Sequence, residues 1–233
     1  MKQSNSTPDP NRREFLGTLA AGAAAIGLAA IPAPLQLNAT PLSPPADGAE
    51  LESWFDKING KQRMVFDATH PHEIFPFAWP KVFLMTNEKT GTPSSECNAM
   101  VVLRHSAIAY AFEDRLWKEY KFGEVFGAID PMTKAPALRN PFWQPKPGDF
   151  KIPGVGNVEI GINELMEAGV MFCVCEMAMT VFSNKVAGET KGDPIAIKND
   201  WVSGMLPGIK AVPSGVWALG RAQSRGCGYC FTG

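Results

Sequence analysis

Five cysteines and three histidines carry most of the reactive side chains of this 233-residue sequence. Cys175 closes the apolar run Val170-Met171-Phe172-Cys173-Val174-Cys175, and Glu176 opens a stretch of helical pattern. An unbroken apolar run predicts a strand covered on both faces. A sulfur placed where such a strand hands over to a helix meets the free N–H groups of the first turn. These stabilise a thiolate and make it nucleophilic. A neighbouring histidine can strengthen that tendency or accept the proton, whereas Glu176 opposes it. His105 and Ser106 follow a second apolar run, Ala99 to Leu103. His70 and His72 follow a first, Gln62 to Phe66, and Pro213, Ser214 and Gly215 follow a short fourth, Ile209 to Val212. If these strands are parallel, all three histidines, Cys175 and the Ser214–Gly215 turn share one edge of the sheet, the edge where ligands bind in such folds. Cys175 and His105 are the expected catalytic pair, with Ser106, Ser214 and Gly215 as substrate contacts.

Other chemistry is open to the same residues. His70, His72, His105 and Cys175 include ligand types suited to zinc or copper, so a periplasmic metal-binding module is one alternative; a non-catalytic oligomeric interaction protein is the other. Cys173 reads as core. Cys227-Gly228-Tyr229-Cys230 has the spacing of a redox dithiol, but the helix that would bias its first thiolate is missing; only Phe231, Thr232 and Gly233 follow. If Tyr229 to Phe231 is a strand, residues three apart face opposite sides and do not bridge easily. The chain has no phosphate loop, no dinucleotide fingerprint and no hydrolase-type serine motif. No cofactor is expected.

The elements that must position these residues alternate. Helical patterns are predicted over 75–87, 107–122, 162–168, 176–186, 195–205 and 213–225, between the strands named above and a last one at 229–231. Alternation of this kind predicts an α/β three-layer sandwich, a mostly parallel sheet of about five strands with helices on both faces. Residues 130–158 break the rhythm with six prolines and the pair Phe142-Trp143. They read as an insertion serving as a lid or an assembly contact. Residues 40–59 read as a disordered or extended lead.

Three blocks in order resemble the DsrE/DsrF-like sulfur-relay family. They are Glu164-Leu165-Met166-Glu167-Ala168-Gly169-Val170 leading into Cys175, Val101-Val102-Leu103-Arg104-His105-Ser106, and Val212-Pro213-Ser214-Gly215-Val216 running through Arg221-Ala222-Gln223 to Gly226 and Tyr229. The resemblance spans most of residues 60–233. It implies a single domain there, a cysteine at the Cys175 position that carries sulfur as a persulfide, oligomers that are trimers or hexamers, and a sulfur donor or acceptor protein as partner.

The N-terminus adds a destination. Asn11-Arg12-Arg13-Glu14-Phe15-Leu16-Gly17 followed by an Ala- and Gly-rich run resembles a twin-arginine export signal over residues 1–39. The run is shorter than the ~20 apolar residues a spanning helix needs. The expected location is the periplasm or another extracytoplasmic space, with no membrane attachment after cleavage. Without residues 1–39 the chain holds 19 basic and 21 acidic residues, a formal charge of −2. That balance gives no electrostatic case for a nucleic-acid partner.

Overall fold

The computed structural model describes residues 48–233. The export signal of 1–39 and residues 40–47 of the lead lie outside the described residues. From Gly48 on, the expected disordered lead is instead a helix, α1 (Gly48–Phe55). Leu51 and Phe55 share one face at spacing four and are both buried, which supplies the free energy that a short helix needs.

Five strands form one sheet in the order β6-β5-β2-β1-β7, every neighbouring pair parallel. They are β1 (Gln62–Ala68), β2 (Cys97–Leu103), β5 (Met171–Cys175), β6 (Lys210–Val212) and β7 (Gly228–Phe231). β1 and β2 run in register from Gln62 opposite Cys97 to Ala68 opposite Leu103. Side-chain alternation divides the core. Phe66, Val101, Leu103, Phe172 and Val174 pack on one face beneath α2 (Phe75–Lys89), α5 (Ile162–Glu167), α6 (Glu176–Thr190) and α7 (Pro194–Ser203). Val65, Met100, Val102 and Cys173 pack on the other, against α1 and α8 (Gly215–Ser224). Helices cover both faces, and the molecule is the α/β sandwich that the alternation predicts. No helix among the described residues is long and apolar enough to cross a membrane.

The single helix predicted over 107–122 does not form. His105–Ala111 is a 3-10 segment, Phe112 is extended, and two short helices follow, α3 (Asp114–Glu119) and α4 (Phe122–Val125). Distant partners take the backbone groups that a continuous helix would use. Leu206 N–H donates to the Ala111 carbonyl (2.8 Å), and Glu113 N–H donates to Gly204 (2.9 Å). The buried amide of Asn140 donates to the carbonyls of Tyr110 (2.9 Å) and Phe112 (3.1 Å). Tertiary hydrogen bonds and burial of Tyr110, Phe112 and Trp117 outweigh the helical periodicity.

The Pro-rich insertion is built into the fold. Phe142 is fully buried, 4.2 Å from Phe77 and 5.0 Å from Phe150 between ring centroids. Its backbone N–H donates to Asn140 (3.1 Å). The expectation that Phe142 serves a lid or an assembly contact is therefore replaced by a core role, because a side chain of this size gains more from burial than from display. Trp143 is half-buried and packs on the same core. Two residue pairs, β3 (Lys151–Ile152) and β4 (Gly156–Asn157), make a small antiparallel hairpin at the end of the segment.

Candidate functional site

Parallel strands bring the predicted residues to one edge, but not to one point. Cys175 is the last residue of β5 and the N-cap of α6. Its Sγ accepts a hydrogen bond from the Ala178 N–H at 3.3 Å. The sulfur thus sits at the positive end of a 15-residue helix, satisfying one of its unpaired donors. Cys175 keeps 6% exposure, and Cys173, on the strand proper, has none. Cys173 packs with α1 and α8, as its core reading requires.

One cation that bears on this chemistry is a residue that the sequence offered only as part of a strand exit. Arg104 follows β2 and forks onto the buried Asp67 of β1, Nε to Oδ1 at 2.6 Å and Nη2 to Oδ2 at 2.9 Å. Tyr229 of β7 donates to the same carboxylate at 2.7 Å. The Asp67 hydrogen bond chiefly raises the Arg104 pKa, with Asp67, Tyr229 and Cys175 adding by charge. Asp67 likewise holds the Tyr229 phenol above its usual value by hydrogen bond. A fully hydrogen-bonded carboxylate at this depth fixes the guanidinium in place. A Cβ on Gly215 would lie 2.6 Å from the Cβ of Arg104. Glycine there lets the Arg104 stem pass over the start of α8. Ser214 caps that helix, accepting from Trp217 N–H at 3.1 Å, and Met177 N–H of α6 donates to the Pro213 carbonyl at 3.2 Å. Arg104, Cys175 and the Pro213–Gly215 turn are thereby drawn together, with Ser214 and Gly215 in structural roles.

Glu176, which threatened the thiolate, is committed elsewhere. Its Oε1 accepts from Lys198 of α7 at 3.0 Å, and both side chains are largely buried. The ammonium offsets the carboxylate beside the sulfur.

The histidines are less united than the alternation suggested. His105 takes a left-handed backbone (φ 48°), and its ring packs edge-on against Phe182 of α6 at 5.4 Å. Its Nδ1 lies 3.4 Å from the Ser106 hydroxyl, and Ser106 in turn donates to the Thr69 carbonyl at 3.4 Å. Among the described residues no hydrogen bond joins His105 to Cys175. His70 and His72 lie together, ring centroids 6.0 Å apart, where β1 meets β7; His72 Nδ1 is 3.2 Å from the Thr232 carbonyl. No three His, Cys, Asp or Glu side chains among the described residues are grouped to hold a metal ion. The set His70, His72, His105 and Cys175 is not assembled, because the strand exits that carry these residues spread them along the edge.

All five cysteines are free. Burial pushes the thiols of Cys97, Cys173, Cys227 and Cys230 upward. Cys227 joins the core under α1 and α8, and Cys230 packs against the opposite one, so the CGYC segment divides its sulfurs between the two faces.

A cavity of about 810 Å³ opens elsewhere, between the β1 exit and the insertion. Cys175 does not line it.

No protein-family model matches this chain, and no curated protein matches it significantly.

Proposed function

We propose that this is an exported sulfur-handling protein of the DsrE/DsrF-like type, with Cys175 as its sulfur carrier. The observation that carries the proposal is the Cys175 Sγ capping α6 through the Ala178 N–H at 3.3 Å, on the sheet edge shared with Arg104. A helix N-terminus and a cation both favour a negatively charged sulfur. The thiolate attacks the outer sulfur of a persulfide or polysulfide. One S–S bond forms as another breaks, the donor leaves as a thiolate, and Cys175 holds a persulfide; no external oxidant is needed. Handing the sulfur on is the same exchange in reverse. His105, at the neighbouring strand exit with its ring against Phe182 of the helix that Cys175 caps, is the proposed assisting residue and makes no direct contact with the sulfur among the described residues.

The twin-arginine resemblance of residues 1–39 supports extracytoplasmic work. Association of copies is supported by the sheet edge: β7 is an edge strand, and its Tyr229 and Phe231 are exposed. The test is to treat the purified chain with inorganic polysulfide and assay protein-bound sulfane sulfur. The wild type loads sulfur, and Cys175→Ser does not. Equal loading of Cys175→Ser removes Cys175 from the role.

A further inference from the structure

The cavity of about 810 Å³ does not include Cys175 in its lining and stands apart from the sulfur chemistry. Its size falls within the ~300–1,000 Å³ of small-molecule pockets. Tyr110 forms part of its wall, with a side chain only 1% exposed. Among the described residues no hydrogen bond reaches the Tyr110 hydroxyl, and burial raises its pKa. Yet the hydroxyl is not sealed. Among the described residues, Trp201 Nε1 is the one side-chain polar atom that is both enclosed and without a partner. The Tyr110 hydroxyl is not among such atoms, and the cavity is the space that Tyr110 lines. A buried phenol without a partner gives up a hydrogen bond that a ligand oxygen restores.

The remaining walls define the ligand. Ile74, Ile129 and Phe150 supply apolar surface. Lys134 and Lys151 line the mouth, are exposed, and make no ion pair among the described residues. Two carboxylates also line it. Asp149 accepts the Lys146 N–H at 2.9 Å, and Glu73 has no hydrogen-bond partner among the described residues. Two ammoniums against two carboxylates leave the lining without net charge, which disfavours a polyphosphate; Lys134 and Lys151, exposed and outside any ion pair among the described residues, are the groups that a single carboxylate would meet. Glu73 (φ 48°) and Lys134 (φ 58°) both hold left-handed backbone without being glycine. Strain of that kind gathers where side chains must be aimed. The site also lies outside the carboxyl end of β1, beside β7, where the strand order turns back on itself.

We propose that this cavity binds a small aromatic or alicyclic monoanion, its charge met by Lys134 and Lys151 and a second, neutral oxygen met by the Tyr110 hydroxyl. The test uses 6-hydroxy-2-naphthoate and 2-naphthoate as probes, titrated against the purified full chain and read by ligand fluorescence. The wild type binds the hydroxylated probe about tenfold more tightly than 2-naphthoate, one good hydrogen bond. Tyr110→Phe abolishes that preference and leaves 2-naphthoate binding unchanged, which also shows that the fold stands. Lys134→Met with Lys151→Met weakens both probes by roughly tenfold. Cys175→Ser alters neither. Failure of both probes to bind the wild type at millimolar concentration overturns the proposal, and so does a hydroxyl preference that survives Tyr110→Phe. Neither failure bears on sulfur loading at Cys175.

Discussion

Two short segments of this chain hold paired cysteines, and their surroundings give them opposite prospects. In Cys173-Val174-Cys175 the strand ends on the second sulfur, and a 15-residue helix begins at the next residue. Cys227-Gly228-Tyr229-Cys230 has the more suggestive spacing. It runs into an edge strand, no helix follows it among the described residues, and its sulfurs pack in different cores. What a cysteine can do is set by the N–H groups and charges that its element brings to it, and spacing alone is a poor guide.

Asp67 links the two segments, since it holds both Arg104 and Tyr229. Asp67→Ala strands a guanidinium and frees the tyrosine, and should lower stability by about 3–5 kcal/mol. Urea denaturation measures the loss; a midpoint like the wild type's would mean that the segments are not joined through Asp67.

The tyrosines offer a pH test. Tyr110 and Tyr120 are raised first by burial, and Tyr229 first by its bond to Asp67. The unfolded chain loses these protons near the ordinary value of about 10, before the folded one does. Stability from these groups is thus complete below pH ~10 and falls as pH rises beyond it. Tyrosinate absorbance should appear later in the folded protein than in free tyrosine and should coincide with unfolding. Early, gradual ionisation of all three would contradict these environments.

Smaller effects separate the two segments further. Arg104→Met should slow alkylation of Cys175 at neutral pH by roughly three- to tenfold, with Arg104→Lys recovering part of the rate. Cys227 and Cys230 should react as before, as mass mapping of the alkylated peptides would show. An unchanged Cys175 rate in Arg104→Met would mean that the guanidinium does not act on the sulfur. Ser214→Ala removes the α8 cap and should cost about 1 kcal/mol with no change in Cys175 alkylation. A slower Cys175 would return Ser214 to the site.

Much of this was legible in the sequence, unevenly. Strict alternation and the unbroken apolar run at 170–175 sufficed for the parallel sheet, and the strand-to-helix junction put Cys175 at its cap. Arg104 was hidden because its role depends on Asp67, 37 residues earlier, and on the absence of a side chain at Gly215. The 107–122 region misled because its periodicity is real, while its carbonyls are claimed by Asn140 and Leu206. The insertion looked like a lid for a related reason: closely spaced prolines interrupt helix and strand patterns, but nothing in their spacing reveals that Phe142 reaches Phe77.

The most direct measurement is peptide mapping of the wild-type chain after polysulfide exposure, with all five cysteines followed by mass. The added sulfur should reside on the peptide bearing Cys175 and be absent from those bearing Cys97, Cys227 and Cys230. Sulfur on the Cys227–Cys230 peptide, with Cys175 bare, would contradict the account.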